Sequence, residues 1–555
     1  MRRLPIFLIA GGIAATALTG AATRSSKSDI SRNVDIFTSI YKTLQTNYVD
    51  TIDADKSMNT AIAAMLDEID PYTEYIPESA QDNFLTISTG EYGGIGAYIQ
   101  ERPGKGVIVS EPRKGTPSQL SGLKPGDLFL TIDGDTVTNA HSDEVSKKLR
   151  GQAGTTVKVT VKRPWTDDSI LSFEITREKI EIDPVPYYGV HHGNIGYIQL
   201  TTFNEKSYDK TREALMALKE NPAVESIVLD MRGNGGGLLE SAVKIVGLFV
   251  PKGTEVVRTR GRGLLNEKVY KTTVNPVDTK IPLAVIVNGL SASSAEIVTG
   301  ALQDLDRAVI VGERSYGKGL VQSTRQIPYN GLLKITTAKY YIPSGRLIQA
   351  IDYSRRNEDG SVARIPDSLT TVWHTLGGRE VRDGGGITPD VNVEYPDVNR
   401  LVFNVVRDNW SFDFANKYAA EHDTVARPED FVITDSIYAD FKRFVDPDKF
   451  KYDRTTDMIL EQLEKAVKTE GYLNDQVQAQ LDTLKSTLHH DLQRDLDFNR
   501  QIISQYLASD ILERYYYARG SIIETLKHDQ ALDSAAVVLH NPERYKSILQ
   551  PKARK

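Results

Sequence analysis

Three short runs in the middle of the chain constrain its fold more than anything else: "ESIVLDM" at 225–231, "LAVIVNG" at 283–289 and "AVIVGE" at 308–313. Each has an apolar centre rich in β-branched residues, the pattern of a strand buried in a sheet. Helical patterns alternate with strand patterns, which begin earlier with "IGYIQLTTF" at 195–203. "YDKTREALMALKEN" is amphipathic, and a further helix is expected from about Ala292 to Asp304. Such alternation, running from 166 to about 395, predicts an α/β core.

The rest of the chain has a different texture. At 555 residues it is too long for one ordinary domain. Residues 28–90 read as helical, with apolar residues at helical spacing in "DIFTSIYKTLQTNYVD" and "SMNTAIAAMLDEID", until "DPYTEYIP" breaks the pattern. Residues 91–165 carry short β-type runs between Gly/Pro turns, with two short helical stretches, and predict a compact β-rich module. Residues 396–555 read as a helical, charged extension. Leu473, Val477, Leu481, Leu484, Leu488, Leu492 and Leu496 form a long stripe there, a packing face within the chain or toward an oligomer or adaptor.

Composition removes several functions. The net charge of −7 gives no electrostatic support to a general nucleic-acid role. The absence of cysteine removes disulfides, thiolate metal sites and cysteine nucleophiles. Residues 1–24 place Arg2 and Arg3 before an apolar run, followed by "TRSSKSD". This is the order of an export signal, either cleaved or kept as a membrane anchor, and it places the remainder outside the cytoplasmic membrane.

Two loops carry candidate chemistry. "NGLSASSAEI", 288–297, sits where a strand gives way to a helix. A serine there meets free N–H groups and the positive end of the helix dipole, which favour developing negative charge. The same place suits a plain N-cap, and the residues alone leave both readings open. No histidine lies between His192 and His374 to act as base. Lys318, between Gly317 and Gly319, is the ionisable candidate. A lysine serves as a general base only when its pKa falls from about 10.4 toward 7–8; a solvated lysine in a glycine loop is the plain alternative. Gly312 to Lys318 also matches most of a phosphate-binding loop. Gly319 stands where Ser or Thr would hold magnesium, and the β-type "LVQSTRQIP" follows, so a nucleotide site is rejected. "RGNGGG", 232–237, lets main-chain N–H groups approach a ligand and reads as an anion or oxyanion loop, with a tight turn as the alternative.

Together "LDMRGNGGG", "NGLSASSAEI", "DRAVIVGERSYGKGLVQ", "AKYYIPSGRLIQ" and "GGITPDV" resemble the carboxyl-terminal processing, or tail-specific, proteases from about residue 35 to 395. The resemblance implies an α/β crotonase-like protease core with an inserted PDZ domain, an N-terminal helical segment and a C-terminal helical extension. In that family a serine is the nucleophile and a lysine twenty-five residues later is the base, which implies Ser293 and Lys318. A glutamine four residues beyond the lysine orients it, which implies Gln322. The family's Ser-Ala-Ser-Ala-Ser-Glu reads Ser-Ala-Ser-Ser-Ala-Glu here. Ser294 therefore stands where a main-chain amide helps form the oxyanion hole, an exchange expected to be harmless. Gly236 or Gly237 would give the second amide. Asp230, Arg232 and Glu296 match polar positions that support the site.

In the β-rich module, "YGGIGAY" would hold a peptide's terminal carboxylate on the amides of Ile95, Gly96 and Ala97, while the peptide adds a strand. Arg150, in "KKLRGQAGT", is expected to sense substrate or tie this module to the core; a solvated helix-end charge is the plain alternative. The function implied is an exported serine endopeptidase, periplasmic or anchored to the membrane. It would recognise C-terminal tails of envelope proteins and need no metal or cofactor. A catalytically inactive PDZ scaffold is one rival, opposed by the intact Ser293, Lys318 and Gln322. An acyl-transfer enzyme on a crotonase-like core is another, opposed by the PDZ module and the export signal.

Overall fold

The computed structural model describes residues 29–550 apart from 167–168, 264–266, 354–361, 453 and 489–490. The export signal or anchor expected over 1–24 lies outside the described residues. The chain forms two compact units, Met1–Glu78 with Gln322–Thr336, and Ser79–Val321 with Thr337–Lys555. No helix among the described residues is long and apolar enough to cross a membrane.

The first unit holds helices over 29–47 and Ala54–Asp67, the second capped by Asp53, whose side chain accepts from the Lys56 N–H. The N-terminal helical region expected over 28–90, with its break at 70–77, holds a strand as well. Asp70 Oδ1 accepts from the N–H groups of Tyr72 and Thr73 at 2.8 and 2.7 Å, a turn that ends the helical run. A strand, Glu74–Ile76, then pairs antiparallel with Leu332–Lys334.

In the second unit, the β-rich module is an antiparallel sheet in the order Ala97–Arg102, Gly106–Pro112, Leu128–Ile132, Thr156–Lys162, Ile170–Thr176. The helices Pro117–Leu120 and Ser142–Leu149 belong to it. The boundary expected at 165 falls too early. Ile170–Thr176 pairs with Thr156–Lys162 along its whole length, and Glu178–Glu181 returns to pair with Glu91–Gly94.

The α/β core is a six-stranded sheet in the order Tyr187–His191, Ile195–Gln199, Ser226–Asp230, Leu283–Val287, Val309–Gly312, Val391–Asn392. All its neighbours are parallel except the first pair. The three apolar runs of the sequence are its central strands, buried throughout. Side chains alternate between faces. Ile227, Leu229, Val285, Val287 and Ile310 join a core that includes residues of helices Ser207–Glu220, Leu239–Val246 and Ser294–Asp304. Val228, Ala284, Ile286, Val309 and Val311 join a core with Leu526, Ala531, Leu532, Ala535 and Val538. The second face of the sheet is therefore covered by the C-terminal helices, so a boundary at 395 does not separate two self-sufficient cores.

Earlier in the extension, helices Arg400–Arg407, Trp410–Glu421, Asp435–Phe444 and Arg500–Leu526 share a third core around Phe414, Phe441, Leu507 and Ile511. The long leucine stripe is not one helix. It divides into Asp475–Thr487 and Leu492–Phe498, with Leu481 and Leu496 buried and Leu484 and Leu488 exposed. The β-rich module leans on this extension: Arg102 makes a two-pronged ion pair with Asp413 at 2.9 and 3.1 Å, and Glu111 accepts from the Ala518 N–H at 3.0 Å.

Candidate active site

Three adjacent parallel strands end side by side at Asp230, Val287 and Gly312. The chain leaves them as "RGNGGG", "NGLSAS" and "ERSYGKG", so both candidate loops and the lysine loop emerge from the carboxyl end of one sheet. Open α/β sheets bind ligands at that edge.

Ser293 lies at the junction with helix Ser294–Asp304 and has φ 56° and ψ −115°. A positive φ is rare for a residue with a Cβ and stores about 1–3 kcal/mol of strain. Ser293 is also the one residue of 291–300 that is not buried. The turn thrusts this serine out of an otherwise closed segment. Its neighbour Ser294 is turned away, its hydroxyl donating to the Gly237 carbonyl at 2.8 Å. Ser291 is buried, its hydroxyl donating to the Met231 carbonyl at 2.8 Å. Of the three serines, only Ser293 is not buried.

Glu296 ties the serine loop to the lysine loop. Its side chain is fully buried. It accepts from the N–H of Ser293 at 2.9 Å, of Gly317 at 2.7 Å and of Lys318 at 2.8 Å, and from the Ser315 hydroxyl at 2.5 Å. Burial pushes its carboxyl above the ordinary value, against these four hydrogen bonds, which favour the anion. The Tyr340 hydroxyl lies against the carbonyls of both Ser293, at 3.1 Å, and Lys318. One carboxylate and one phenol thus hold the main chain of the two residues together. Lys318 is half-buried between two buried glycines.

The glycine loop faces the serine. At Gly236 an added Cβ would lie 2.7 Å from Ser293 Cβ and 3.0 Å from Ser294 N. The Gly236 N–H is spent on Asn234 Oδ1 at 2.9 Å. Of the two glycine amides put forward from the sequence, Gly237 is the one without an acceptor among the described residues, and the Ser294 N–H likewise has none. Asn234, fully buried, also anchors the loop by donating to the Leu200 carbonyl and accepting from the Ala292 N–H.

Asp230 and Arg232 are joined, Nε donating to Oδ1 and Oδ2 at 3.1 and 3.0 Å, and Tyr197 donates to Asp230 at 2.7 Å. They do not touch Glu296; they link the loop to the sheet and, through Arg232, to Asp529. Gln322 falls in the first unit, where its Nε2 donates to Thr336 Oγ1 at 3.2 Å. Ser315, Tyr340 and Asn234 were not singled out in the sequence. Each lies inside a quoted motif, and an unusual polar residue in a buried β or glycine run is the signal that could have found it.

In the β-rich module Ile95 is buried, and among the described residues neither its N–H nor that of Gly96 has an acceptor. The Gly96 carbonyl takes the Arg113 N–H and the hydroxyls of Thr116 and Ser118, each at 2.9 Å, which fixes the loop. Ala97 begins the edge strand, and Glu101 near its far end accepts from the Ser142 N–H of the adjacent helix at 3.1 Å. Arg150 lies 4.8 Å above the Tyr92 ring, a cation–π contact within the module.

Residues 194–355 match Peptidase family S41, 92–176 the PDZ domain, and 401–539 the Probable PDZ-protease, C-terminal helical domain. A "Carboxy-terminal-processing protease" of Bartonella bacilliformis is 34% identical over 69% of this chain and 88% of its own length. A "Probable CtpA-like serine protease" of Staphylococcus haemolyticus is 30% identical over 76% of this chain and 84% of its own length. A solved structure, "Photosystem II D1 C-terminal processing protease", is 26% identical, with 64% of this chain and 86% of that one covered at a TM-score of 0.35. These matches show a serine-type peptidase carrying a PDZ domain. The chain belongs to peptidase family S41, among the carboxy-terminal-processing proteases.

Proposed function

We propose that this peptidase cleaves by a Ser293–Lys318 dyad on a crotonase-like core and selects substrates by their free C-termini. The observation that carries the dyad is the Glu296 carboxylate, which holds the main-chain N–H of both residues at once. Lys318 would take the proton from Ser293 Oγ as it attacks the scissile carbonyl, and would return it to the leaving amine. The oxyanion would form against the N–H groups of Ser294 and Gly237 at the helix N-terminus. Gln322 is assigned to orienting the lysine on the family resemblance alone.

The N–H groups of Ile95 and Gly96, without an acceptor among the described residues and beside an edge strand, support capture of a terminal carboxylate with strand addition. Buried apolar Ile95 favours an apolar last residue. Substrates are proposed to be tails of envelope proteins, and the location outside the cytoplasmic membrane rests on the N-terminal signal pattern. One peptide compared as free acid and as amide tests the recognition. Losing the charge should weaken binding by about 1.5–3 kcal/mol, roughly ten- to a hundredfold. Equal affinities and equal cleavage rates would show that the module does not read tails.

A further inference from the structure

The glycine loop has a single charged handle, Arg232, and this handle is gripped by the far end of the chain. Nη1 of Arg232 donates to Asp529 Oδ1 at 3.0 Å, and Nη2 donates to Oδ2 of both Asp529 and Asp230. The two carboxylate side chains are 3% exposed and the guanidinium 22%. Asp529 is itself fixed: its Oδ1 caps helix Gln530–Leu539, accepting from the N–H groups of Ala531 and Leu532 at 2.9 and 3.1 Å. That helix seats Ala531, Leu532, Ala535 and Val538 against the sheet residues Val228, Ile286 and Val311.

Gly233, Gly236 and Gly237 take φ values of 70°, 103° and 140°, in a stretch where glycine allows many alternatives. The loop's other restraints are neutral hydrogen bonds: the Gly233 N–H on Asn288, the Asn234 amide on Leu200, the Ala292 N–H on the Asn234 carbonyl, the Phe203 N–H on the Gly236 carbonyl and the Ser294 hydroxyl on the Gly237 carbonyl. Asp230, held by Tyr197 at the end of its sheet strand, grips the guanidinium from the root of the loop, two residues away. Asp529 is 297 residues away on a separate element and fixes the guanidinium in space with charge-assisted bonds.

We propose that Asp529 is a positioning residue for the peptidase site, holding the Arg232 side chain so that the Gly236–Gly237 turn presents its amide to the oxyanion. The C-terminal helical domain thereby takes part in hydrolysis, although it touches no substrate atom. The proposal rests on the assignment of this loop to the oxyanion and goes beyond it.

Asp529→Asn and Asp529→Ser each keep an acceptor for the helix cap but remove the charge that grips Arg232. Both should fold, with circular dichroism and peptide affinity as in the parent. The kcat should fall about 10²-fold, as expected for a small misplacement at a reacting centre. KM should stay unchanged, and phosphonylation of Ser293 by a fluorophosphonate, in which Oγ displaces fluoride from phosphorus, should slow in parallel. Asp529→Glu should recover part of kcat. All assays are run below each variant's own melting midpoint, so a lowered midpoint does not blur the reading. An unchanged kcat in either folded variant, or a loss confined to KM, overturns the proposal and leaves the Ser293 site standing. An active Ser293→Ala enzyme would instead remove the site assignment, and the proposal with it.

Discussion

A Cβ on residue 236 would sit 2.7 Å from Ser293 Cβ and 2.9 Å from the Ala292 carbonyl, with φ at 103°. The neighbours are Ser293 Cβ and the main chain of the residues on either side of it, which cannot give way as a flexible side-chain end would. Gly236→Ala should therefore leave the helices and the distant PDZ fold intact while displacing Ser293 from its loop. The expected result is loss of peptide cleavage by about 10²-fold or more with circular dichroism unchanged; full activity in this variant would mean the loop does not face the nucleophile. The residue types of this site were readable: the serine, the lysine and the glycine run all stand in short motifs. Their ties were not. Glu296 reaches Lys318 N across 22 residues, and Arg232 reaches Asp529 across 297, and no local pattern encodes such pairs. Asp529 could be read from the sequence as a helix N-cap, but its second partner could not.

Elements explain why the site lies where it does. The three apolar runs are parallel neighbours, and the loops that follow them inherit that adjacency. The three strands and the α/β class followed from hydrophobic pattern; the order of the strands in the sheet did not. What covers the far face of the sheet did not either, because helices Gln530–Leu539 and Pro542–Leu549 read in sequence as an appended tail. Their packing makes a prediction. Leu532 is 0% exposed and meets the central strands. Leu532→Ala should cost about 2–5 kcal/mol, and the loss should appear in the unfolding of the α/β core, followed by hydrogen exchange of the strands Ser226–Asp230 and Leu283–Val287. Faster exchange confined to residues 500–550 would show that the extension folds separately.

In the molecule as a whole, the helical domain is joined both to the catalytic sheet and to the PDZ domain. At the PDZ junction Glu111 meets the kink of helix Arg500–Leu526, where Tyr517 has φ 57°, beside a cavity of about 450 Å³ lined also by Glu513, Arg514, Lys124 and Arg163. Burial pushes the Glu513 carboxyl up to about 7; Arg514 opposes this, and the charges of Glu111 and Asp510 add to it. The folded chain thus keeps a proton that the unfolded chain, with its carboxyl near 4.5, has released. This contribution is present in full below the unfolded value and is lost as pH rises through about 7. Its size is on the order of 2 kcal/mol, after discounting about 1.4 kcal/mol per unit for partial exposure. Glu513→Gln stays uncharged, so the wild-type melting midpoint should fall relative to the variant's between pH 4.5 and 8. Fluorescence of Trp165, whose ring is 5.8 Å from Phe444 across the junction, provides the readout. A difference that stays flat with pH would contradict the buried proton.

The central claim is that Ser293 attacks and Lys318 accepts its proton, and covalent labelling by a fluorophosphonate across pH tests it most directly. The account predicts one labelled peptide, carrying the adduct on Ser293, with a rate that rises with pH through a single ionisation. Lys318→Ala should fold as the parent does and abolish that labelling, while Ser294→Ala should keep most of it. An adduct on Ser291 or Ser294, or undiminished labelling of Ser293 in the Lys318→Ala enzyme, would contradict the claim.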